Sequence, residues 1–442
     1  LYCAKFLFNE YSCNLYSIKD LFSNLSHIFI TSSVPLSLSI WTTTSSSGLL
    51  CSNKNLKKIF NLGDFFVSNF VKKENITNGN VKCPLSLLYC SNCSLIQLSH
   101  IAPQELMYRR FYWYKSGVTK TMRNGLKELY LSSLKHIKLK KKDTVLDIGA
   151  NDGTLLKYYK KNYTTIGCEP AKNLTKSLKK NCKFVIDNFW SYENLIKIIK
   201  KNNLTKPKII TAIGMFYDLE DPNKFIKDAA LALHDDGIFI AQLMCLKSMI
   251  EKNDIGNICH EHIEFYSLKS LKYLFEKNGL EIFKIEENDI NGGSYRIYCR
   301  KLVNGSIKLN NENIESMMKK FVKRAKYNKI KMVDFIKKQR KKDKKIFLYG
   351  ASTKGNTLLQ YYKLDSSVIP LASERSPEKW GKYTVGSGIK IISEKDARQL
   401  NPDYFLVTPW GFINEFRKRE SKWLKKGGKF IVPFPKLRII SK

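Results

Sequence analysis

The segment Ile258-Cys-His-Glu-His262 holds two of the six histidines of the chain, one residue apart. In an extended segment His260 and His262 face one side and Glu261 faces the other, whereas in a turn both imidazoles reach one site. A metal site needs further His, Asp or Cys ligands, and the H-E-x-x-H spacing is absent. An imidazole with a pKa of about 6.5 takes up a proton at neutral pH, so acid–base chemistry is favoured. A purely structural histidine pair is the alternative.

The second stretch that could bind a ligand is a glycine-containing turn at residues 145–154, with the sequence Val-Leu-Asp-Ile-Gly-Ala-Asn-Asp-Gly-Thr. Apolar residues flank Asp147 and predict a buried strand, after which Gly149 and Gly153 allow close backbone approach to a ligand. The spacing is not G-x-G-x-x-G. An acidic residue at a strand end before G-x-N-D-G is instead typical of S-adenosylmethionine (SAM) methyltransferases. Glu169 ends the next apolar stretch, where a ribose-binding carboxylate is expected. An ordinary turn of another doubly wound domain is the alternative.

Three further stretches are expected near this turn, because ligands of an open α/β sheet lie at the carboxyl ends of its strands. Residues 215–222 follow the fourth predicted strand and begin with Met215, and Gln242 lies late in the fifth. The loop Asn291-Gly-Gly-Ser294 offers amides and a hydroxyl that suit substrate oxygens, with a simple hairpin turn as the alternative. Residues 215–222 contain no Asn-Pro-Pro-Tyr or Asp-Pro-Pro-Tyr, which argues against methylation of amino groups in DNA or RNA.

The elements that must position these residues alternate between β-type and helical stretches, which predicts a mostly parallel sheet with helices on both faces. We expect strands at residues 144–148, 163–168, 183–186, 207–213, 236–244, 280–286 and 294–299, the last two as an antiparallel addition at the edge. A helix is predicted over residues 119–138 and a charged helical connector over residues 305–343.

A second α/β unit follows the connector, with strands predicted at residues 345–349, 366–372, 403–408 and 429–432. Its first turn, Gly350-Ala-Ser-Thr-Lys-Gly-Asn-Thr, includes Lys354 and suits an anion at a helix N-terminus, but it lacks the P-loop order. The predicted fold class is therefore α/β, a doubly wound sheet plus a second Rossmann-like α/β domain and a small N-terminal Cys module.

The Cys module is predicted from the knuckle Cys90-Ser-Asn-Cys93, with Cys51 upstream. A structural zinc site usually has four thiolate or imidazole ligands, and Lys54 stands where an upstream C-x-x-C would be completed. Cys83 or His100 are candidates for the fourth ligand. A module that has lost its metal is the alternative.

Composition bears on the partner class. The 442-residue chain has a formal net charge of +37, and lysine is spread along nearly all of residues 54–442. A nucleic-acid binder concentrates basic residues in a patch, so we favour lysines on solvated helix faces, which also attract a diphosphate-bearing substrate. The eleven cysteines show no disulfide framework, which indicates a reducing cytosol. The chain has no run of about 18 apolar residues that would predict a membrane helix.

Taken in order, these stretches resemble the SAM-dependent C-methyltransferases of nucleotide-linked ketosugars. That family has an N-terminal zinc-binding module, a central class I methyltransferase domain and a C-terminal Rossmann-like domain. The matching stretches are residues 61–63, 67–70, 84–98, 112–117, 145–153, 215–222, 258–262, 291–294, 349–357, 381–384 and 427–435. Two positions depart from the family pattern: Lys54, where the family has a zinc-ligand cysteine, and Ser94, where glycine usually follows the knuckle.

The resemblance implies how the methyl donor is held. The donor-binding residues would be Asp147, Gly149, Asn151, Asp152, Gly153, Glu169 and Met215, with Asp187 or Asn188 as the adenine contact. Zinc would be bound by Cys51, Cys90 and Cys93.

The resemblance also implies a reaction, in which a base removes the proton next to the ketone and the enolate carbon attacks the SAM methyl group. His262 would be the base, and His260 and Glu261 would orient it or the sugar. Tyr112 or Tyr114 would shield the site or stabilise enolate charge. The substrate contacts would be Gln242, Asn291, Ser294 and Lys354, with Lys354 at the diphosphate.

The domain boundaries expected from these patterns are a poorly ordered extension at residues 1–49, a zinc-binding-like module at 50–105, a methyltransferase domain at 106–302, a helical connector at 303–343 and a Rossmann-like domain at 344–442. Three alternative functions remain: O- or N-methylation of another small molecule, RNA binding or modification, and a degenerate relative without activity. A nucleotide-sugar substrate and no membrane partner are expected.

Overall fold

The computed structural model describes residues 42–43, 47–109, 111–309 and 312–442. Most of the extension predicted at residues 1–49 therefore lies outside the described residues. Within the described ranges, no helix combines the length and the apolar character that a membrane crossing requires. The strands of this part assemble into sheets of two, four, seven and eight strands.

The N-terminal part of the described chain is built from antiparallel strands. They are β1 (Thr42–Thr43), β2 (Leu56–Phe66), β3 (Phe70–Val71), β4 (Lys82–Cys90), β5 (Ile96–Leu98) and β6 (His100–Ile101). β4 pairs with both β2 and β5, and the register sets Cys90 opposite Leu56. In the turn after β4, Ser94 has a φ of 60°, in the left-handed region that favours glycine. This conformation explains why the resemblance leads one to expect glycine at that position.

The central domain alternates strands and helices. Its strands are β7 (Thr144–Ile148), β8 (Thr164–Cys168), β9 (Phe184–Ile186), β10 (Ile209–Ile213), β11 (Ile238–Met244), β12 (Glu264–Phe265), β13 (Leu280–Asn288) and β14 (Ser294–Lys301). Its helices are α1 (Lys120–Ser133), α2 (Leu156–Tyr159), α3 (Lys172–Asn181), α4 (Tyr192–Lys201), α5 (Pro222–Ala232), α6 (Leu246–Glu251) and α7 (Leu268–Lys277).

Seven of these strands form one sheet in the order β13-β14-β11-β10-β7-β8-β9. The five strands from β9 to β11 run parallel, whereas β14 lies antiparallel to β11 and to β13. The predicted sheet with an antiparallel pair at its edge is confirmed. Because chain order reverses on either side of β7, the carboxyl ends of β7 and β10 border the crevice where such sheets bind ligands.

Every residue of β7, β8 and β11 is buried, because helices cover both faces of the sheet. One prediction here was too long, since α1 ends at Ser133 and not at residue 138. The Ser133 hydroxyl donates to the carbonyl of Tyr130 at 2.7 Å and bonds the Tyr159 hydroxyl. Local side-chain bonds of this kind compete with helix continuation.

The C-terminal domain begins with the long helix α8 (Ile314–Arg340). It continues with β15 (Ile346–Tyr349), α9 (Thr353–Tyr362), β16 (Leu371–Glu374), β17 (Tyr383–Thr384), β18 (Lys390–Ser393), α10 (Glu394–Gln399), β19 (Tyr404–Val407), α11 (Ile413–Arg419), α12 (Ser421–Lys425), β20 (Lys429–Val432) and β21 (Arg438–Ile440). β16 thus begins later than the predicted strand at 366–372. α8 buries a stripe that includes Met318, Phe321, Ala325 and Met332, so the predicted charged connector has one apolar face packed in the core.

Two sheets are shared between parts of the chain that are distant in sequence. β3 pairs with β17 at the edge of the eight-stranded sheet, and β12 pairs with β5 in the four-stranded sheet. β12 starts two residues after His262, so the pairing of Glu264 with Gln97 anchors the histidine segment to the Cys module. The predicted domain boundaries stay predictions, and these sheets cross them.

Candidate active site

A cavity of about 460 Å³ lies where the three parts of the chain meet. Its wall comprises the glycine turn after β7, the loop after β10, the histidine segment and the turn that starts α9. Aromatic residues between the Cys module and α1 close one side. Of the residues singled out from the sequence, the cavity is lined by Tyr112, Tyr114, Asp147, Gly149, Asn151, Glu169, Met215, Gln242, Glu261, His262, Asn291, Ser294 and Lys354.

Asp147 lies near the carboxyl end of β7, where its carboxylate accepts a hydrogen bond of 2.6 Å from the Thr211 hydroxyl on β10. Burial raises the pKa of Asp147 to about 7, because the charged form loses its hydration. A carboxyl group at this strand end suits the positively charged groups of a SAM molecule. Gly149 has a φ of 70°, and a Cβ at this position would lie 2.6 Å from the Met215 side chain.

Glu169 follows β8 and is fixed by two backbone amides, those of Asn151 and Ala171, each 2.8 Å from a carboxylate oxygen. Burial raises its pKa, and the two amide bonds oppose that rise. Because each carboxylate oxygen accepts more than one hydrogen bond, Glu169 retains capacity for the hydroxyl groups of a ribose. Its place beside the cavity suits the predicted ribose contact.

Two residues predicted to touch the donor have side chains engaged elsewhere. The Asn151 side chain accepts from the Ser116 amide at 3.0 Å and donates to the Tyr114 carbonyl at 3.1 Å. Asp152 accepts from the Gly117 amide at 2.8 Å. These bonds hold residues 114–117 over the glycine turn; Asn151 also lines the cavity, whereas Asp152 is not part of its wall.

The predicted adenine contacts lie outside the cavity wall. Asp187 and Asn188 are exposed, and Asn188 accepts a hydrogen bond from Arg109 at 3.1 Å. The next two residues, Phe189 and Trp190, line the cavity instead. The Asp187 carboxylate accepts a hydrogen bond from the Thr175 hydroxyl at 3.3 Å. The aromatic pair Phe189 and Trp190 was the sequence signal that could have indicated an adenine contact, because flat apolar rings stack on an adenine face.

His262 faces the cavity with a defined tautomer. Its Nδ1 lies 2.6 Å from the backbone carbonyl of Asn257, and a carbonyl oxygen only accepts, so Nδ1 carries the hydrogen. Burial lowers the pKa of His262 well below its ordinary value, and the Lys354 ammonium adds to the effect. The ring is therefore neutral at pH 7, with Nε2 unprotonated and able to accept a proton. Tyr217 packs edge-on against it at 4.6 Å between ring centroids.

His260 points away from this site. Its Nε2 donates to the Cys83 carbonyl in the Cys module at 2.9 Å, and burial lowers its pKa to about 4. His260 is not part of the cavity wall. The two imidazoles therefore do not approach one site, and His260 fastens the segment that carries His262.

Glu261 connects this segment to the C-terminal domain by accepting a hydrogen bond of 2.9 Å from the Thr353 hydroxyl. Lys354, which follows Thr353 in the chain, donates to the Asn257 side chain at 3.0 Å. Donor atoms of Cys259, Glu261 and His262 lie within 4.8 Å of one another, a grouping compatible with a metal ion. The Lys354 ammonium beside this group opposes a cation, which favours acid–base chemistry here.

Three tyrosines form the aromatic side of the cavity. Tyr112 is held by paired hydrogen bonds between its backbone and the Asn173 side chain, at 2.9 and 3.0 Å, while Tyr114 is 41% exposed. Tyr108, which the sequence analysis missed, donates its hydroxyl to the Glu261 carbonyl at 2.8 Å. Burial raises the pKa of Tyr108 and of Tyr112, so both hydroxyls are protonated hydrogen-bond donors.

The predicted substrate contacts at the sheet edge are buried. The Gln242 side-chain oxygen accepts from Arg296 at 3.0 Å, and the Ser294 hydroxyl donates to the Ile290 carbonyl at 2.8 Å. Asn291 has a φ of 54°, so the loop is a strained turn before β14. Trp410, also missed from sequence, lines the cavity and donates to Asp254 at 2.8 Å.

Cys51, Cys90 and Cys93 place their sulfur atoms within 4.8 Å of one another, with 3.5 Å between the sulfurs of Cys51 and Cys90. Such spacing fits three thiolates around an ion that binds sulfur at about 2.3 Å. The candidate fourth ligands, Cys83 and His100, are not part of this group. Cys83 lies at the start of β4 and Cys90 at its end, so an extended strand separates the two sulfurs.

Comparison with family models identifies three consecutive domains. Residues 49–108 match a model described as "Putative zinc binding domain", residues 119–285 a "Methyltransferase domain" and residues 289–435 a "C-methyltransferase C-terminal domain". The three matches follow one another over residues 49–435, so the chain carries the set of domains of a C-methyltransferase. It is a SAM-dependent C-methyltransferase, and SAM is its methyl donor.

Individual relatives share only a minor part of their sequence with this chain. C-methyltransferase NovU of Streptomyces niveus is 25% identical over 386 residues, which cover 84% of this chain and 91% of that protein. A SAM-dependent methyltransferase of Clostridium acetobutylicum is 11% identical, with a TM-score of 0.31, over 40% of this chain and 90% of that one. Magnesium protoporphyrin IX methyltransferase of Synechocystis, solved with bound SAM, is 9% identical, with a TM-score of 0.32, over 43% and 88%.

For the methyl-donor half of the cavity, we predict that Asp147→Ala weakens SAM binding about tenfold, because a hydrogen bond to a charged group contributes about 1.5–3 kcal/mol. Since burial raises the pKa of Asp147 to about 7, wild-type SAM affinity should fall as the pH drops below 7 and the carboxylate is protonated. Isothermal titration calorimetry measures both effects.

The matched control is Asp187→Ala, which removes a carboxylate outside the cavity wall and should leave SAM affinity within about twofold of wild type. The assignment of Asp147 fails if Asp147→Ala binds SAM like wild type, or if the two variants lose affinity equally.

Proposed function

We propose that this C-methyltransferase acts on a nucleotide-linked ketosugar and methylates the carbon next to its ketone through an enolate. The observation that supports this proposal most directly is the neutral, cavity-facing His262, whose Nδ1–H is held by the Asn257 carbonyl. Nε2 of His262 is unprotonated at neutral pH and is therefore available to take up a proton. The family description and the name of the Streptomyces relative support transfer to carbon.

In this proposal Nε2 of His262 takes the proton from the carbon beside the ketone. The bond from Nδ1 to the Asn257 carbonyl keeps the ring oriented and favours the imidazolium that forms. Tyr217 fixes the ring from the side, and His260 fastens the segment to the Cys module. SAM, when bound, supplies an electrophilic methyl group to the carbanion.

Exclusion of water is the second contribution of this chain. Residues 114–117 are fastened to the glycine turn through Asn151 and Asp152, and Tyr112 through Asn173. These contacts hold a wall of aromatic rings over the cavity. A dry cavity strengthens hydrogen bonds to a developing enolate and places the reacting carbons in contact.

The C-terminal domain would hold the nucleotide diphosphate. Lys354 lines the cavity at the start of α9, and this helix N-terminus adds a favourable field for an anion. The Ser352 side chain caps the helix by accepting from the Gly355 amide at 3.0 Å. The overall positive charge would further attract a diphosphate.

The alternative is transfer to an oxygen or nitrogen of another small molecule, because His262 would equally serve as the base for a hydroxyl group. The NMR spectrum of the product separates the two. A new C–CH3 signal on a quaternary or tertiary ring carbon supports the proposal, and an O-methyl signal contradicts it.

We predict that His262→Ala lowers turnover by about 10²–10⁴-fold, the usual contribution of a general base. SAM affinity should remain near wild type, because His262 is assigned to the acceptor half of the cavity. Because burial lowers the pKa of His262, its Nε2 stays unprotonated until the pH falls below the ordinary histidine pKa of about 6.5. Wild-type kcat/KM should therefore decline only at pH values below about 6.5.

His234→Ala is the control, since this histidine lies on the surface in an ion pair with Asp236 and away from the cavity. Near-normal turnover of the His262→Ala enzyme would remove His262 from the role of base.

We predict that Lys354→Met raises the dissociation constant for the nucleotide sugar at least tenfold and leaves SAM affinity unchanged, because the ammonium group is assigned to the diphosphate. A thermal-shift screen of nucleoside diphosphate ketosugars with S-adenosylhomocysteine identifies the ligand, since a bound ligand stabilises the fold. Lys326→Met on the exposed face of α8 is the charge-matched control. Equal losses in both variants would indicate a general effect of net charge.

We further propose that Cys51, Cys90 and Cys93 bind one zinc ion as a structural site, since their sulfurs are already grouped. Lys54 is exposed and offers no thiolate for the fourth position. Three-thiolate coordination predicts zinc that a chelator removes faster than from a four-thiolate site.

The zinc proposal predicts about one equivalent of zinc in the purified chain and slower chelator-driven release in Lys54→Cys, measured with a colorimetric chelator. Lys58→Cys, on the exposed side of β2, is the matched control and should release zinc at the wild-type rate. A wild-type chain that holds less than about half an equivalent and takes up no added zinc contradicts the proposal.

A further inference from the structure

Asp218 is a buried acid of the cavity wall to which neither the sequence patterns nor the family comparison assigns a role. It follows β10 in a loop whose backbone is firmly held. The Asp218 amide donates to the Met215 carbonyl at 3.1 Å, and the Tyr217 carbonyl accepts from the amides of Ile263 and Glu264 at 2.8 and 3.0 Å. The loop is thereby joined to the end of the histidine segment.

The Asp218 side chain is 9% exposed and lines the cavity, yet its Oδ1 has no hydrogen-bond partner within the described part of the chain. An unpaired buried polar atom carries a cost of about 1–3 kcal/mol, so native proteins rarely keep one without a use. Glu261, its neighbour in the cavity, has a partner in Thr353. Asp218 is thus a buried carboxyl group of the cavity wall, with an oxygen that no described protein group satisfies.

The groups that face Asp218 favour its protonated form. Burial is the main cause of a strongly raised pKa, and the carboxyl groups of Glu261 and Glu264 raise it further. Lys354 is the opposing cation. The surrounding hydroxyl and thiol groups, which belong to Tyr108, Tyr112, Tyr217 and Cys259, are themselves kept neutral by burial. Burial and the neighbouring carboxyl groups thus favour the protonated form of Asp218, and a carboxylic acid donates a hydrogen bond.

We infer, on the basis of the proposed function, that Asp218 acts as a neutral carboxylic acid that donates a hydrogen bond to the ketone oxygen of the sugar. When the C–H bond breaks, its proton goes to Nε2 of His262 and its electron pair forms the C=C bond of the enolate. The π pair of the ketone moves to the oxygen, where the Asp218 hydroxyl stabilises the negative charge and keeps its own proton. The C=O bond re-forms as the C=C pair takes the methyl group, whose bond to the sulfonium sulfur would break and leave S-adenosylhomocysteine, and His262 returns its proton to solvent.

This assignment gives the base and the enolate-stabilising donor separate places in the cavity. Nε2 of His262 carries no proton before the reaction and accepts one, whereas Asp218 carries a proton throughout and shares it. A pair of groups whose environments keep one unprotonated and the other protonated at the same pH is the usual arrangement for removal of a proton next to a carbonyl. Tyr108 is already committed to the Glu261 carbonyl, which leaves its hydroxyl less available as a donor.

Two substitutions at Asp218 test the inference in the full-length enzyme with a nucleoside diphosphate ketosugar as substrate. Asp218→Leu removes the donor and should lower kcat/KM by about 10²–10³-fold, the usual effect of losing one oxyanion donor. Asp218→Asn keeps an N–H donor that does not ionise and should retain at least ten times the activity of the Leu variant. SAM affinity should be unchanged in both.

The pH profile separates a donor from a structural residue. Wild-type kcat/KM should fall as the pH rises through the raised pKa of Asp218, because the carboxylate that forms has no hydrogen to donate. Asp218→Asn should lack this alkaline decline, whereas Glu220→Gln, a more exposed acid of the same loop that also lines the cavity, should keep it. Because the Asn variant preserves size and shape, the profile remains informative even if Asp218→Leu does not fold.

The inference is overturned if Asp218→Asn shows the wild-type alkaline decline, or if Asn and Leu variants both work within about threefold of wild type. If the wild-type enzyme forms a C-methylated sugar and the Asp218 variants form it equally well, the role of Asp218 is refuted and the proposed function stands. A wild-type enzyme that forms no C-methylated sugar refutes the proposed function, and the Asp218 inference with it.

Discussion

The hydrogen bond from Nδ1 of His262 to the carbonyl of Asn257 is the interaction on which the rest of the site depends. It fixes the tautomer, so that the nitrogen facing the cavity is the one without a hydrogen. Asn257 is itself held from the C-terminal domain, because its side chain accepts from Lys354. The orientation and tautomer of His262 thus depend on contacts between parts of the chain that are about a hundred residues apart.

The segment around His262 contacts both the Cys module and the C-terminal domain. Asp254 accepts from Trp410, Glu261 accepts from Thr353, and β12 extends the sheet of the Cys module. Each contact buries a polar group, and a buried polar group is stable only when it is paired. The assembled domains therefore create the buried cavity in which the pKa of Asp218 is raised and that of His262 is lowered.

The sequence was sufficient to predict the central sheet, because buried parallel strands are continuous apolar runs that a turn and a helix separate. It also predicted that Asp147, Glu169 and His262 lie at the ligand site, and all three line the cavity. Asp147 and Glu169 were marked by their places at the carboxyl ends of two strands, and His262 by the closely spaced histidine pair. It did not predict that Asn151 would hold residues 114–117 instead of facing the donor.

What the sequence could not supply were contacts made across long separations. His260 and His262 differ by two positions, yet one meets a carbonyl of β4 and the other faces the cavity, which only the packing of the Cys module decides. Trp410 carries no recognisable spacing, and its place at the cavity depends on how the C-terminal domain packs against the central one. Asp218 lies in the stretch 215–222 that was expected near the ligand, but no pattern distinguished it from its neighbours. Asp187 directly follows β9, yet its carboxylate meets the Thr175 hydroxyl and not the cavity.

The central claim is that the enzyme forms an enolate of the sugar before any methyl group moves. The direct measurement is the exchange of the proton next to the ketone in heavy water, with S-adenosylhomocysteine in place of the donor. NMR should show deuterium incorporated at the carbon that the enzyme methylates when the donor is supplied. Absence of exchange at that carbon, in an enzyme that binds the sugar and is active with SAM, would contradict the account.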